Sequence, residues 1–204
     1  MKKSYVIIGV IVLIAVVCIG WFVSTRNGMV SLDEAVNKQW SEVEVQYQRR
    51  LDLIPNLVST VKGYAAHEKE TLVDLTAART GLQKSYNEAQ NFAGAQAPAT
   101  EQDLDRFNAA QQELSRSLNL YINAVHEAYP DLKANENFKD LQAQLEGTEN
   151  RIATARTRYT EAVRDFNVAV RRFPGSIVAS MSGFDVKPQF KADANAASVP
   201  TVEF

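Results

Sequence analysis

From Ser4 to Thr25 the chain runs 22 residues without a charged side chain, and Tyr5 to Val23 is dominated by Val, Ile, Leu and Ala. At about 1.5 Å of rise per residue, such a helix crosses a hydrocarbon core roughly 30 Å thick. Trp21 and Phe22 sit near its far end, where aromatic rings suit the headgroup level. A cleaved signal peptide has a shorter apolar region followed by a small-x-small site. Trp21-Phe22-Val23 offers none, and Val17 before Cys18 is a poor lipoprotein context. The segment therefore reads as a retained anchor. Lys2 and Lys3 precede it and Arg26 follows it. The positive-inside rule then places the N-terminus in the cytoplasm and the rest of the chain outside.

The remainder reads as helices. Asn27-Gly28 interrupts the pattern, and Ser31-Leu32-Asp33-Glu34 has the form of a capping box, with Ser31 as N-cap and Glu34 at N3. A first helix is expected to start there, apart from the anchor. Its apolar stripe is Val36, Trp40, Val43, Tyr47, then Leu51 or Ile54, Leu57, Val61 and Tyr64, at alternating three and four spacing. Pro55 lies inside it and is expected to kink it. A break follows near His67-Glu68. A second helix carries Leu72, Leu75, Leu82, Tyr86 and Ala89, ending in the loop from Asn91 to Pro98. Thr100 with Asp103 caps a third, carrying Leu104, Phe107, Leu114, Leu118, Tyr121 and Val125 and closed by Tyr129-Pro130. The fourth is the most regular. Phe138, Leu145, Ile152, Tyr159, Phe166 and Phe173 recur every seven residues, with Leu141, Thr148, Ala155, Ala162 and Ala169 between them. Large and small residues alternating at the two seam positions suit tight antiparallel packing.

The expected fold is all-α: an N-terminal transmembrane helix followed by an antiparallel up-down-up-down four-helix bundle. Its first and fourth helices are long, roughly 55 Å each by the helical rise. Residues 1–4 form a short tail, 5–25 the anchor, 26–30 a hinge and 31–173 the bundle. In the segment 174–190, Ile177, Val178, Met181, Phe184, Val186 and Phe190 fold back onto the bundle, and 191–204 is a disordered tail.

Little chemistry is legible. With 22 basic and 24 acidic residues the net charge is −2. A general nucleic-acid binder needs a basic surplus to displace counterions, so no nucleic-acid partner is expected. One cysteine and two histidines exclude a disulfide framework and a histidine-rich metal centre. Tyr64 and Asn123 stand three residues before the histidines, where a di-iron bundle needs glutamate. His67-Glu68 and His126-Glu127 are adjacent pairs, which do not face each other on a helix. No enzymatic activity, cofactor or metal is expected.

Polar residues inside apolar seams stand out instead. Arg49, Arg50 and Asp52 precede Pro55 and Asn56 in the first helix; Glu149, Asn150 and Arg151 follow Thr148 in the fourth. If antiparallel packing brings these stretches together, Asp52 or Glu149 pairs with Arg50 or Arg151. Such a pair can form a register-fixing polar layer or a ligand or partner site.

The same stretches carry a resemblance. Gln39-Trp40-Ser41-Glu42-Val43-Glu44-Val45, the run Arg49 to Val58 and the run Val61 to Glu68 resemble the signature of the LemA family. So do Tyr129-Pro130-Asp131-Leu132-Lys133, the pattern from Leu141 through Thr148-Glu149-Asn150-Arg151-Ile152 to Arg156, Phe166-Asn167 and Phe173-Pro174. The resemblance runs from about residue 30 to 190. It implies a bacterial single-pass membrane protein with a helical-bundle domain, and supplies neither catalytic residues nor a cofactor. Anchor, bundle and missing chemistry together suggest a structural or adaptor component of the cell envelope. It contacts the bilayer through residues 5–25, and protein partners or further copies through its helix faces. The alternative is a ligand-sensing four-helix domain that signals through a partner membrane protein.

Overall fold

The computed structural model describes residues 2–65 and 73–191. Every regular element among them is helical. These are α1 (Lys2–Ala65), α2 (Val73–Gln90), α3 (Glu101–Ala128), a 3-10 turn (Pro130–Ala134), α4 (Glu136–Arg171) and α5 (Gly175–Ser182).

The hinge expected over residues 26–30 is not there. α1 runs 64 residues without a break, roughly 96 Å at the helical rise. A capping box matters where a helix begins, because only there do N–H groups lack partners. The preceding apolar part of α1 supplies those carbonyls, so Ser31 and Glu34 are exposed mid-helix positions. Carrying Gly28 inside a helix costs about 1 kcal/mol. Met29, next to it, is buried in the core, and burying its side chain offsets that cost. α1 also continues through Pro55, which lies on its exposed side.

Along Tyr5–Ile19 the large apolar side chains are 50% to 72% exposed. That stretch is long and apolar enough to cross a bilayer. Beyond it α1 packs closely on α4, and α2 on α3. Two contacts along α1 show the sense of the α1–α4 packing: Trp40 meets Tyr159 at 5.4 Å between ring centroids, and Arg50 meets Glu149 at 2.8 Å. Rising numbers on α1 meet falling numbers on α4, so the pair is antiparallel. Met29, earlier on α1, lies at Gly175, just past the end of α4. α3 meets the same core-facing side of α1, where Phe107 packs edge-on against Tyr47 at 5.0 Å and against Trp40 at 5.1 Å.

The caps at α3 and α4 explain where those helices start. Thr100 Oγ1 accepts the Asp103 N–H, and Asn135 Oδ1 accepts the Phe138 N–H. α3 closes at Tyr129, whose N–H donates to the Val125 carbonyl, with Pro130 after it. On α4, Phe138, Leu145, Ile152, Tyr159 and Phe166 are all buried. The last member of the expected repeat, Phe173, is 76% exposed. α4 ends at Arg171, so the seven-residue spacing no longer returns that side chain to the core face.

After α5, Gly183 takes φ +73°, a left-handed conformation that glycine adopts without a Cβ clash. The chain then runs back over the α1–α4 groove. Phe184 meets Phe166, and the Asn167 amide group pairs with both the carbonyl and the N–H of Lys187 at 2.8 Å. Phe190 meets Trp40 and Tyr159. Of the residues expected to fold back, Val178 is buried and Phe184 and Phe190 pack on the core, while Ile177, Met181 and Val186 are exposed. The break near His67-Glu68 and the tail after Lys191 lie outside the described residues.

Candidate functional site

The core falls into two apolar clusters. One holds Val36, Trp40, Val43 and Tyr47 of α1 with Phe107 of α3 and Ile152 to Val170 of α4. The other holds Leu51 to Val61 of α1 with Leu114 to Val125 of α3 and Phe138 and Leu145 of α4. On each helix the gap between the clusters is filled by polar residues: Arg50 on α1, Gln111 and Ser115 on α3, Thr148 and Glu149 on α4.

Arg50 is the centre of this layer and is 1% exposed. Its Nη1 donates to Glu149 Oε1 at 2.8 Å and to Ser115 Oγ at 2.6 Å. Its Nη2 donates to the side-chain and backbone oxygens of Gln111. The guanidinium also lies 5.0 Å from the centroid of the Tyr47 ring, a distance for cation–π attraction. Burial pushes the Tyr47 phenol above its usual range, against smaller opposing pulls from Arg156 and Arg50. One guanidinium thus ties α1 to α3 and α4. Its planar fork suits this, since it presents several donors in fixed directions. Glu149 is 46% exposed, so the carboxylate keeps contact with water while the cation does not.

The other residues singled out from the sequence stand apart from this layer. Arg49, Asp52, Pro55, Asn56, Asn150 and Arg151 are all exposed. Asp52 accepts from Gln48 at 2.7 Å within its own helix. Asn56 and Asn150 contribute only backbone carbonyls, to Thr60 and Thr154. Gln111 and Ser115 were not among the sequence candidates. The available signal was Gln111 itself, a polar residue on the apolar stripe between Phe107 and Leu114.

A second feature is a cleft of about 740 Å³ on the outer side of α1. Asp33, Asn37, Ser41 and Glu44 form one wall, with the α2–α3 loop and the returning chain from Gly183 to Lys187 opposite. Trp40 Nε1 fixes the loop by donating to the Ala95 carbonyl at 3.0 Å. Burial pushes the Glu44 carboxyl above the usual carboxylate range, against a smaller opposing contact with Trp40. The Asp33–Lys187 ion pair closes one end. Among the described residues no group of three or more His, Cys, Asp or Glu is placed to hold a metal ion.

Comparison with known proteins now bears on these residues. The chain is 25% identical over 193 residues to magnetosome proteins MamQ 1 and MamQ 2 of Paramagnetospirillum magneticum, covering 85% of this chain and 69% of each relative. It is 24% identical to magnetosome protein MamQ of Magnetospirillum gryphiswaldense, covering 78% of this chain and 61% of that protein. Residues 39–204 match the LemA family, a span that takes in Trp40, the whole Arg50 layer, α5 and the returning chain. The chain belongs to the LemA family.

Proposed function

We propose that this protein is a membrane-anchored, non-enzymatic scaffold of the bacterial envelope. Its up-down-up-down four-helix bundle stands on the outer side of the inner membrane and binds protein partners or further copies through its helix faces. The observation that carries this reading is the unbroken α1, which joins a bilayer-length apolar stretch to the centre of the bundle. A stiff joint suits a part that holds other parts at fixed height. The Arg50–Gln111–Ser115–Glu149 layer supports it as well. Both Arg50 Nη groups donate within the protein, which favours a role in pinning helix register over binding a substrate. The relatives are named as magnetosome proteins, and their names state no reaction.

The outer surface offers Val45 and Leu120, 59% and 56% exposed, as positions for photo-reactive amino acids in intact cells. Reproducible adducts to other envelope proteins, or to a second copy, support the scaffold reading. A stoichiometric small ligand that raises the melting temperature, with no protein adduct at either position, overturns it.

The sensor reading keeps one specific observation, the cleft beside Glu44. Its acidic wall favours a cationic or amine ligand. A thermal-shift screen with amino acids, polyamines and organic acids tests it, and a flat screen removes it.

A further inference from the structure

α5 and the residues around it carry an inference about where the bundle meets the bilayer. From Phe173 to Phe184 there is no charged residue. Val178 and Ala179 face the core and are buried. Phe173, Ile177 and Met181, four residues apart, are 76%, 51% and 72% exposed. An eight-residue helix with no charge, one apolar side covered by protein and another apolar side bare is poorly suited to water.

Its position along α1 supplies the missing cover. A Cβ on Gly175 would lie 3.2 Å from Met29 Cε and 2.8 Å from the Ala169 carbonyl oxygen, so the start of α5 is pressed against α1 at Met29. Phe22, near the end of the apolar stretch, packs on the same cluster as Val178 and Ala179. Counting from Tyr5, a hydrocarbon core of roughly 30 Å takes up about 20 residues, and the headgroup layer the next four or five. Those next residues are Thr25 to Met29. α5 therefore lies at headgroup height, next to the emerging spanning helix. Arg26, Arg171 and Arg172 are exposed at the same end of the molecule, where lipid phosphates are available to guanidinium groups.

We propose that α5 is an interfacial membrane helix, with Phe173, Ile177 and Met181 turned into the bilayer that holds the chain's own anchor. The bundle then has two attachments, one spanning and one lying in the interface. The occupant of this apolar face is lipid because the face is continuous with the spanning helix. The inference rests on the reading of residues 5–25 as a bilayer span.

The test uses the full chain in vesicles of phosphatidylcholine and phosphatidylglycerol. In a Cys18→Ser background, nitroxide labels are placed singly through Met181→Cys, Ile177→Cys, Ile14→Cys and Glu146→Cys. Collision of each label with lipid-soluble oxygen and with a water-soluble nickel chelate is measured. Met181 and Ile177 are more than half exposed, so labels there leave the packing intact. The expected result is an oxygen-to-nickel ratio at 181 and 177 severalfold above that at 146. A label at either position as nickel-accessible as 146, with 14 shielded, overturns the interfacial helix and leaves the anchor standing. A nickel-accessible label at 14 overturns both.

Discussion

A guanidinium withdrawn from water inside a helical core is costly unless each of its donors finds a partner. Arg50 meets that condition at both Nη groups, through three residues on two other helices, while its buried Nε has no hydrogen-bond partner among the described residues. Arg50→Ala removes the cation and strands the buried Gln111 side chain, and is expected to cost about 3–5 kcal/mol. Glu149→Gln keeps a neutral acceptor at a half-exposed position and is expected to cost about 1 kcal/mol. Thermal unfolding of the full chain in detergent measures both, and equal losses would contradict the proposed asymmetry. The sequence placed the two interrupted stretches against each other across an antiparallel seam and left Asp52 or Glu149 open as partner of Arg50 or Arg151; the structure pairs Arg50 with Glu149. Gln111 and Ser115 were not legible, because the register of α3 against α1 is set by packing, Phe107 against Trp40 and Tyr47, and not by any local motif. A second single-residue prediction concerns pH. Burial, and then Lys133, hold the His126 imidazole below its usual range. The folded chain therefore binds that proton less readily than the unfolded chain does. The stability is fully present above the ordinary histidine value of about 6.5 and is lost as pH falls from there through the lower folded value. The melting temperature of the wild type should drop across that range, and that of His126→Asn should drop less.

At the level of elements, local motifs named ends correctly where chain ends were real and misled where they were not. Thr100 with Asp103 begins α3, and Tyr129-Pro130 closes it. Ser31 with Glu34 has the same chemistry, yet caps nothing, because α1 already runs through it. A capping box read from sequence states that a start is affordable, not that one occurs. α5 was legible only as an apolar segment, since eight residues are too few for a helical period to show. The continuity of α1 is testable at Gly28, where an added Cβ meets nothing within 4 Å. In a continuous helix Gly28→Ala stabilises by about 0.5–1 kcal/mol, through propensity alone. In a hinge that needs glycine's freedom, it gives no gain or a loss. Chemical unfolding midpoints of the two proteins decide between them.

For the molecule as a whole, the question is how far from the apolar stretch its distal end is held. Arg26 and Lys62 are both exposed on α1 and stand 36 residues apart in the sequence, roughly 54 Å along a straight helix. Spin labels at these positions, in the Cys18→Ser background, should give one narrow distance distribution near that value. A bend at Pro55 or a loose joint near residue 28 would give a shorter, broader one. An unbroken α-helix also conserves angle: each residue advances about 100° around its axis, and that count is not reset at the membrane surface. Every side chain of the apolar stretch therefore has a set compass bearing relative to the Arg50 layer, to α4 and to the cleft. If that stretch spans a bilayer as proposed, a neighbouring helix that grips one side of it would find the same side of the helical domain above it each time, and any twist applied to the domain would reach the lipid as rotation.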